Sequence, residues 1–80
     1  MTAAAMPKPT LQQRLVDALI VTGRGVIVPS RNRKYVTLKR PDGSFFYVGK
    51  AGALRFGRTV TDSIAAPDDF KRRLLVETQQ

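Results

Sequence analysis

The chain has 80 residues, 42% of them hydrophobic, and carries fourteen Lys/Arg against six Asp/Glu for a formal net charge of +8, with no cysteine and no histidine. That length allows one domain, near the lower size at which a core holds together without staples. The missing cysteine and histidine exclude a disulfide framework, the usual zinc sites and a Ser-His-Asp triad.

Residues 1–9 read as a flexible tail, since small residues with Pro7 and Pro9 neither nucleate a helix nor join a ladder. MTAAAMPKPT contains no apolar run fit for a secretory signal. No stretch approaches the ~20 apolar residues that span a bilayer. A soluble, cytoplasmic protein without membrane contact is the expectation. Residues 10–78 are then a single α+β domain.

Thr10-Leu-Gln-Gln13 fits a capping box that opens a helix, and Leu11, Leu15, Ala18 and Leu19 give it an apolar stripe that Gly23 is placed to end. Val16, Ile20 and Val21 widen the stripe. A domain this small needs that area for its own core, so packing on a sheet is expected in preference to a dimer seam, and a monomer follows. Gly25 to Pro29 reads as a short strand ended by proline, and Ser30 to Arg33 as a polar loop.

Arg33 to Lys50 is the most strongly specified stretch. Tyr35 to Lys39 and Phe45 to Val48 are β-branched and aromatic, and Pro41-Asp42-Gly43 supplies a three-residue turn whose glycine takes positive φ. With Arg40 opposite Ser44, Leu38 faces Phe46 and Val36 faces Val48, while Lys39 faces Phe45 and Thr37 faces Tyr47. Val36, Leu38, Phe46 and Val48 form a core face. Tyr35, Thr37, Lys39, Phe45 and Tyr47 form the other, which either stacks unpaired bases or lies under a helix as ordinary core. Phe45 is expected to be buried and Tyr47 partly exposed, because a tyrosine hydroxyl favours a wet edge.

Gly49 to Arg58 combines three glycines with three cations. It lacks the spacing of a P-loop or a dinucleotide fingerprint. Gly49-Lys-Ala-Gly52 matches the G-x-x-G with which KH domains clamp backbone nucleotides, but it follows a strand, and a turn re-entering the sheet is the expected role. Arg58 to Ile64 alternates as a further strand. Pro67-Asp68-Asp69 then starts a helix, proline at its first position and two acids set against the dipole. The fold class is α+β, a small three- to four-stranded antiparallel sheet with an N-terminal and a C-terminal helix. In topology alone this order resembles double-stranded RNA-binding domains and the small sheet-plus-helix domains of tyrosine recombinases.

From Ala18 to Thr61 nine Lys/Arg stand against the single Asp42, and the flanks nearly cancel. Concentrated like charge costs stability, so a polyanionic partner is its natural explanation. Candidate nucleic-acid-binding residues are Arg31, Arg33, Lys34, Lys39, Arg40, Lys50, Arg55 and Arg58 for phosphates and Tyr47 for a base. There is no spaced pair of carboxylates, and Ser30, Ser44 and Ser63 have no base beside them in sequence, so a non-catalytic protein without metal or cofactor is expected. The sequence reads as a small basic nucleic-acid-binding protein, with DNA preferred to RNA, of the kind that serves as a regulatory accessory factor of a phage or mobile element. The alternative is a protein-binding module, a compact inhibitor or assembly subunit that sets its basic sheet against an acidic partner.

Overall fold

Leu38 against Phe46 and Val36 against Val48 is the register of the central hairpin in the computed structural model, which describes residues 9–30 and 32–78. Residues 1–8 of the expected tail at 1–9, and the candidate Arg31, lie outside the described residues. The hairpin consists of β2 (Tyr35–Lys39) and β3 (Phe45–Gly49). Its turn closes with the Arg40 amide donating to the Ser44 carbonyl at 2.7 Å and the Gly43 amide to the Arg40 carbonyl at 3.0 Å. Gly43 has φ +91°, the left-handed conformation that only glycine adopts without strain.

Around this hairpin the chain forms a five-stranded antiparallel meander in the order β1 to β5, with β1 at Val26–Val28, β4 at Leu54–Gly57 and β5 at Ile64–Ala65. The expected three to four strands thus become five. The strand expected over Arg58 to Ile64 is a turn through most of its length. There Thr59 Oγ1 accepts from the Asp62 amide, and the Val60 carbonyl accepts from both the amide and the hydroxyl of Ser63. Strand pairing falls instead on Leu54 to Gly57, inside the glycine-rich stretch. Leu54 and Phe56 there oppose Val48 and Phe46 and add two apolar side chains to the core face. Gly49-Lys-Ala-Gly52 is the turn between β3 and β4, with the Gly52 amide donating to the Gly49 carbonyl at 3.0 Å and Gly52 at φ +88°.

Both helices lie on the face of Val36, Leu38, Phe46 and Val48. The first, α1 (Leu11–Val21), buries Leu15, Val16, Ala18 and Leu19 there, and the second, α2 (Asp68–Thr78), contributes Leu74 to the same core. Only half of the expected capping box forms. Thr10 accepts from the Gln13 amide, while the Gln13 side chain donates forward to Asp17 at 2.8 Å and does not reach back to the cap. Gly23 ends α1 in a Schellman arrangement at φ +72°, its own amide donating to Ile20 and that of Arg24 to Leu19. Gln12 ties α1 to the sheet by donating to the Val48 carbonyl at 3.0 Å. The second helix carries Asp68 and Asp69 in its first turn, as its sequence predicts, but Pro67, expected at its first position, precedes it as the cap, its carbonyl accepting from the Lys71 amide at 3.2 Å. No helix among the described residues is long and apolar enough to cross a membrane.

Candidate functional site

Strand alternation and register leave the face opposite the helices to Val26, Val28, Tyr35, Thr37, Lys39, Phe45, Tyr47 and Arg55. Its centre is closed by side chains of the sheet itself. Tyr47 is 5% exposed, flanked by Tyr35 and Phe45 with ring centroids 6.2 Å away in each case, and has Thr37 and Arg55 directly opposite on the neighbouring strands. Burial pushes the Tyr47 phenol above its ordinary pKa. The expected assignment of the two rings is therefore reversed: Tyr47 is buried, and Phe45 is the half-buried one. Tyr47 lies mid-strand between Thr37 and Arg55, whereas Phe45, at the start of the same strand, lies between Lys39 and Gly57, which has no side chain to cover it. Neither hydroxyl nor hydropathy reveals that difference. Among the described residues Tyr47 has no side-chain hydrogen-bond partner. Tyr35 and Phe45 are the rings that keep partial exposure.

Two loops finish this face. Ser30, Asn32 and Thr37 interlock at one end: the Thr37 hydroxyl donates to Ser30 Oγ at 2.9 Å, and Asn32 Oδ1 accepts from the Lys34 amide at 2.9 Å. This network fixes the course of the loop that exposes Arg33 and Lys34. Because Tyr35 pairs with Gly49, Lys50 stands at the same end of the sheet. Gly57 pairs with Phe45, so Arg58 stands at the other end, beside the Pro41-Asp42-Gly43 turn. In that turn Ser44 donates to Asp42 Oδ1 from its hydroxyl at 2.6 Å and from its amide at 2.9 Å. Those two bonds hold the Asp42 carboxyl below its ordinary pKa, with the charges of Arg40 and Arg58 adding to the effect.

The candidate cations thus divide by environment. Arg33, Lys34, Lys39, Lys50 and Arg58 are exposed, and among the described residues none has a carboxylate within ion-pair distance. Arg55 is engaged in structure: its Nε donates to Ser63 Oγ at 2.8 Å and its Nη2 to the Ser63 carbonyl, clamping β4 to the turn before β5. Arg40 turns to the helix-covered side, its guanidinium 4.9 Å from the Phe46 centroid and 5.5 Å from that of Phe56. Sequence reasoning passed over Arg24, which lies 5.7 Å from the Phe70 centroid and 3.9 Å from Glu77. Nothing local to Gly23-Arg24-Gly25 signals that contact, which depends on where α2 packs. The acids lie mostly away from the sheet, since Asp17, Asp68, Asp69 and Glu77 are all on the helices. Fold and site together define a small α+β domain whose helix-free sheet face carries Lys39 and Arg55, with Arg33, Lys34 and Lys50 exposed at one end of the sheet and Arg58 at the other. Comparison with protein-family models, with curated proteins and with solved structures finds no match.

Proposed function

We propose that this protein is a small, non-catalytic nucleic-acid-binding module that holds phosphates along the helix-free side of its sheet and at both ends of it. The observation that supports the reading is the separation of charge. Among the described residues Arg33, Lys34, Lys39, Lys50 and Arg58 stand exposed with no carboxylate within ion-pair distance, while four of the six carboxylates in the chain sit on the helices. Exposed cations with few carboxylates among them repel each other, and a polyanion relieves that repulsion and releases its own counterions on binding. Arg55 is outside this contact set because its guanidinium is committed to Ser63, and Arg40 is outside it because it turns to the helix-covered side of the sheet. Tyr47 supports the surface from beneath, and the half-exposed Tyr35 and Phe45 are the rings available to a base. The role is that of a cytoplasmic accessory factor, with DNA as the preferred partner.

A second reading has its own observation. The edge strand β1 has an unpaired side, with Val26 62% and Ile27 57% exposed, and a partner chain can add a strand there. Gel retardation of duplex DNA, single-stranded DNA and RNA at low salt separates the two. Retardation that weakens as salt rises supports nucleic-acid binding, and its absence with all three overturns it in favour of a protein partner.

A further inference from the structure

A cleft of about 530 Å³ opens on the helix-covered side, between the end of α1, the start of α2 and the Pro41-Asp42-Gly43 turn. Its volume falls in the range of small-ligand sites. Three rings form its apolar lining: Phe46 is its floor, stacked nearly parallel to Phe70 with an interplanar angle of 12° and centroids 6.1 Å apart, and Phe56 meets Phe46 edge-on. Two guanidinium groups, those of Arg24 and Arg40, lie over these rings. The one carboxylate lining the cleft, Asp42, already accepts twice from Ser44. Arg24 reaches Glu77 only at 3.9 Å, on the surface. The cleft therefore combines flat apolar walls with two positive charges held over its rings.

We propose that this cleft takes one unpaired nucleotide, its base lodged among the aromatic rings and guanidinium groups that line it, and its phosphate between Arg24 and Arg40. Bases stack on aromatic rings and on arginine planes alike, and a guanidinium that stacks through its face keeps its N–H edge for a phosphate. The charge balance favours an anion carried on a planar group. The cleft also adjoins the sheet end that carries Arg58, so a strand held by the basic side reaches it around the hairpin turn. A base paired within a duplex cannot enter, and the protein accordingly prefers single strands or strand ends over blunt duplex. This inference rests on the nucleic-acid reading above but makes a separate demand, selectivity for unpaired bases.

The test measures, by fluorescence anisotropy at one salt concentration, the affinities of the full chain for a labelled single-stranded oligonucleotide and for the blunt duplex of the same length. Arg40→Gln and Phe56→Leu are measured alongside, the second keeping apolar volume while removing the ring, and circular dichroism verifies that each variant is folded. The single strand is expected to bind at least about tenfold more tightly, the effect of roughly one stacked base. Each variant is expected to lose most of that preference while keeping the parent affinity for duplex. Equal affinities for the two forms, or a preference that survives both substitutions, overturns the cleft assignment and leaves the phosphate-binding surface standing. Failure of both oligonucleotides to bind overturns the two readings together. Binding of an acidic Glu-Tyr copolymer that Arg40→Gln abolishes, with no oligonucleotide bound, reassigns the cleft to an acidic protein segment.

Discussion

Replacing Tyr47 distinguishes a ring that holds the sheet together from one that meets a ligand. An aromatic side chain buries about 150–250 Å², which at about 25 cal/mol per Å² corresponds to about 4–6 kcal/mol. Tyr47 is 5% exposed and packed between Tyr35 and Phe45, so nearly all of that area is withdrawn from water. Truncations of buried aromatics cost about 3–5 kcal/mol, and a chain of this length has about 4–12 kcal/mol in total. Tyr47→Ala is thus expected to leave the protein marginally folded. Tyr47→Phe keeps the ring and removes a hydroxyl that has no partner among the described residues, and its stability is expected within about 0.5 kcal/mol of the parent. Urea denaturation followed by circular dichroism measures both changes. A Tyr47→Ala variant less than about 1 kcal/mol weaker than the parent, with an unchanged m value, would refute the packing described here and return the ring to the ligand side.

The two turn glycines separate backbone strain from packing. Gly43 has open space around its Cα, so Gly43→Ala is expected to cost only the left-handed penalty of about 1–2 kcal/mol, with Gly43→Val somewhat worse. A Cβ at Gly52 would lie within 3 Å of Leu11 Cδ2 and Cγ, so Gly52→Ala is expected to cost about 1–3 kcal/mol more than Gly43→Ala, and equal costs in thermal or urea unfolding would contradict the docking of α1 on that turn. Raising the Tyr47 pKa means that above about pH 10 the folded state retains a proton the unfolded state has released. Stability should therefore fall as pH rises through that window toward the folded pKa, and Tyr47→Phe should remove this part of the loss. Asp42 has the opposite sign: its contribution is present above about pH 4 and disappears as pH falls through its lowered pKa. Ser44→Ala, followed by NMR titration of the Asp42 carboxyl, is expected to move that pKa upward.

The central hairpin was legible because three independent signals agree there: β-rich flanks, a Pro-Asp-Gly turn and matched apolar positions on one face. Its register followed from the turn, and with it the division between core face and open face. The sheet beyond β3 was harder to read. Thr59-Val60-Thr61 has higher strand propensity than Leu54-Arg55-Phe56-Gly57, yet the latter pairs with β3 because Leu54 and Phe56 meet Val48 and Phe46. Propensity gives way to cross-strand packing. The exposed cations were identifiable as charge, but the commitments of Arg40 to Phe46 and Phe56 and of Arg55 to Ser63 depend on residues brought close by the hairpin and the turn after β4, and local pattern contains neither. The cleft was invisible for the same reason: Arg24, Phe46, Phe56 and Phe70 come from four separate elements or their ends.

Arg33→Ala, Lys34→Ala, Lys39→Ala, Lys50→Ala and Arg58→Ala are each expected to leave stability within about 0.5 kcal/mol of the parent, since these side chains are exposed and unpaired among the described residues. Their effect belongs to binding. The measurement that tests the phosphate-binding surface most directly is the dependence of affinity for duplex DNA on salt concentration, plotted as log K against log salt. Five contacts at about 0.9 counterion each predict a slope near −4 to −5, and each of the five substitutions should make it shallower by about 1. A slope near zero, or one that Lys39→Ala, Lys50→Ala and Arg58→Ala together leave unchanged, would contradict the account.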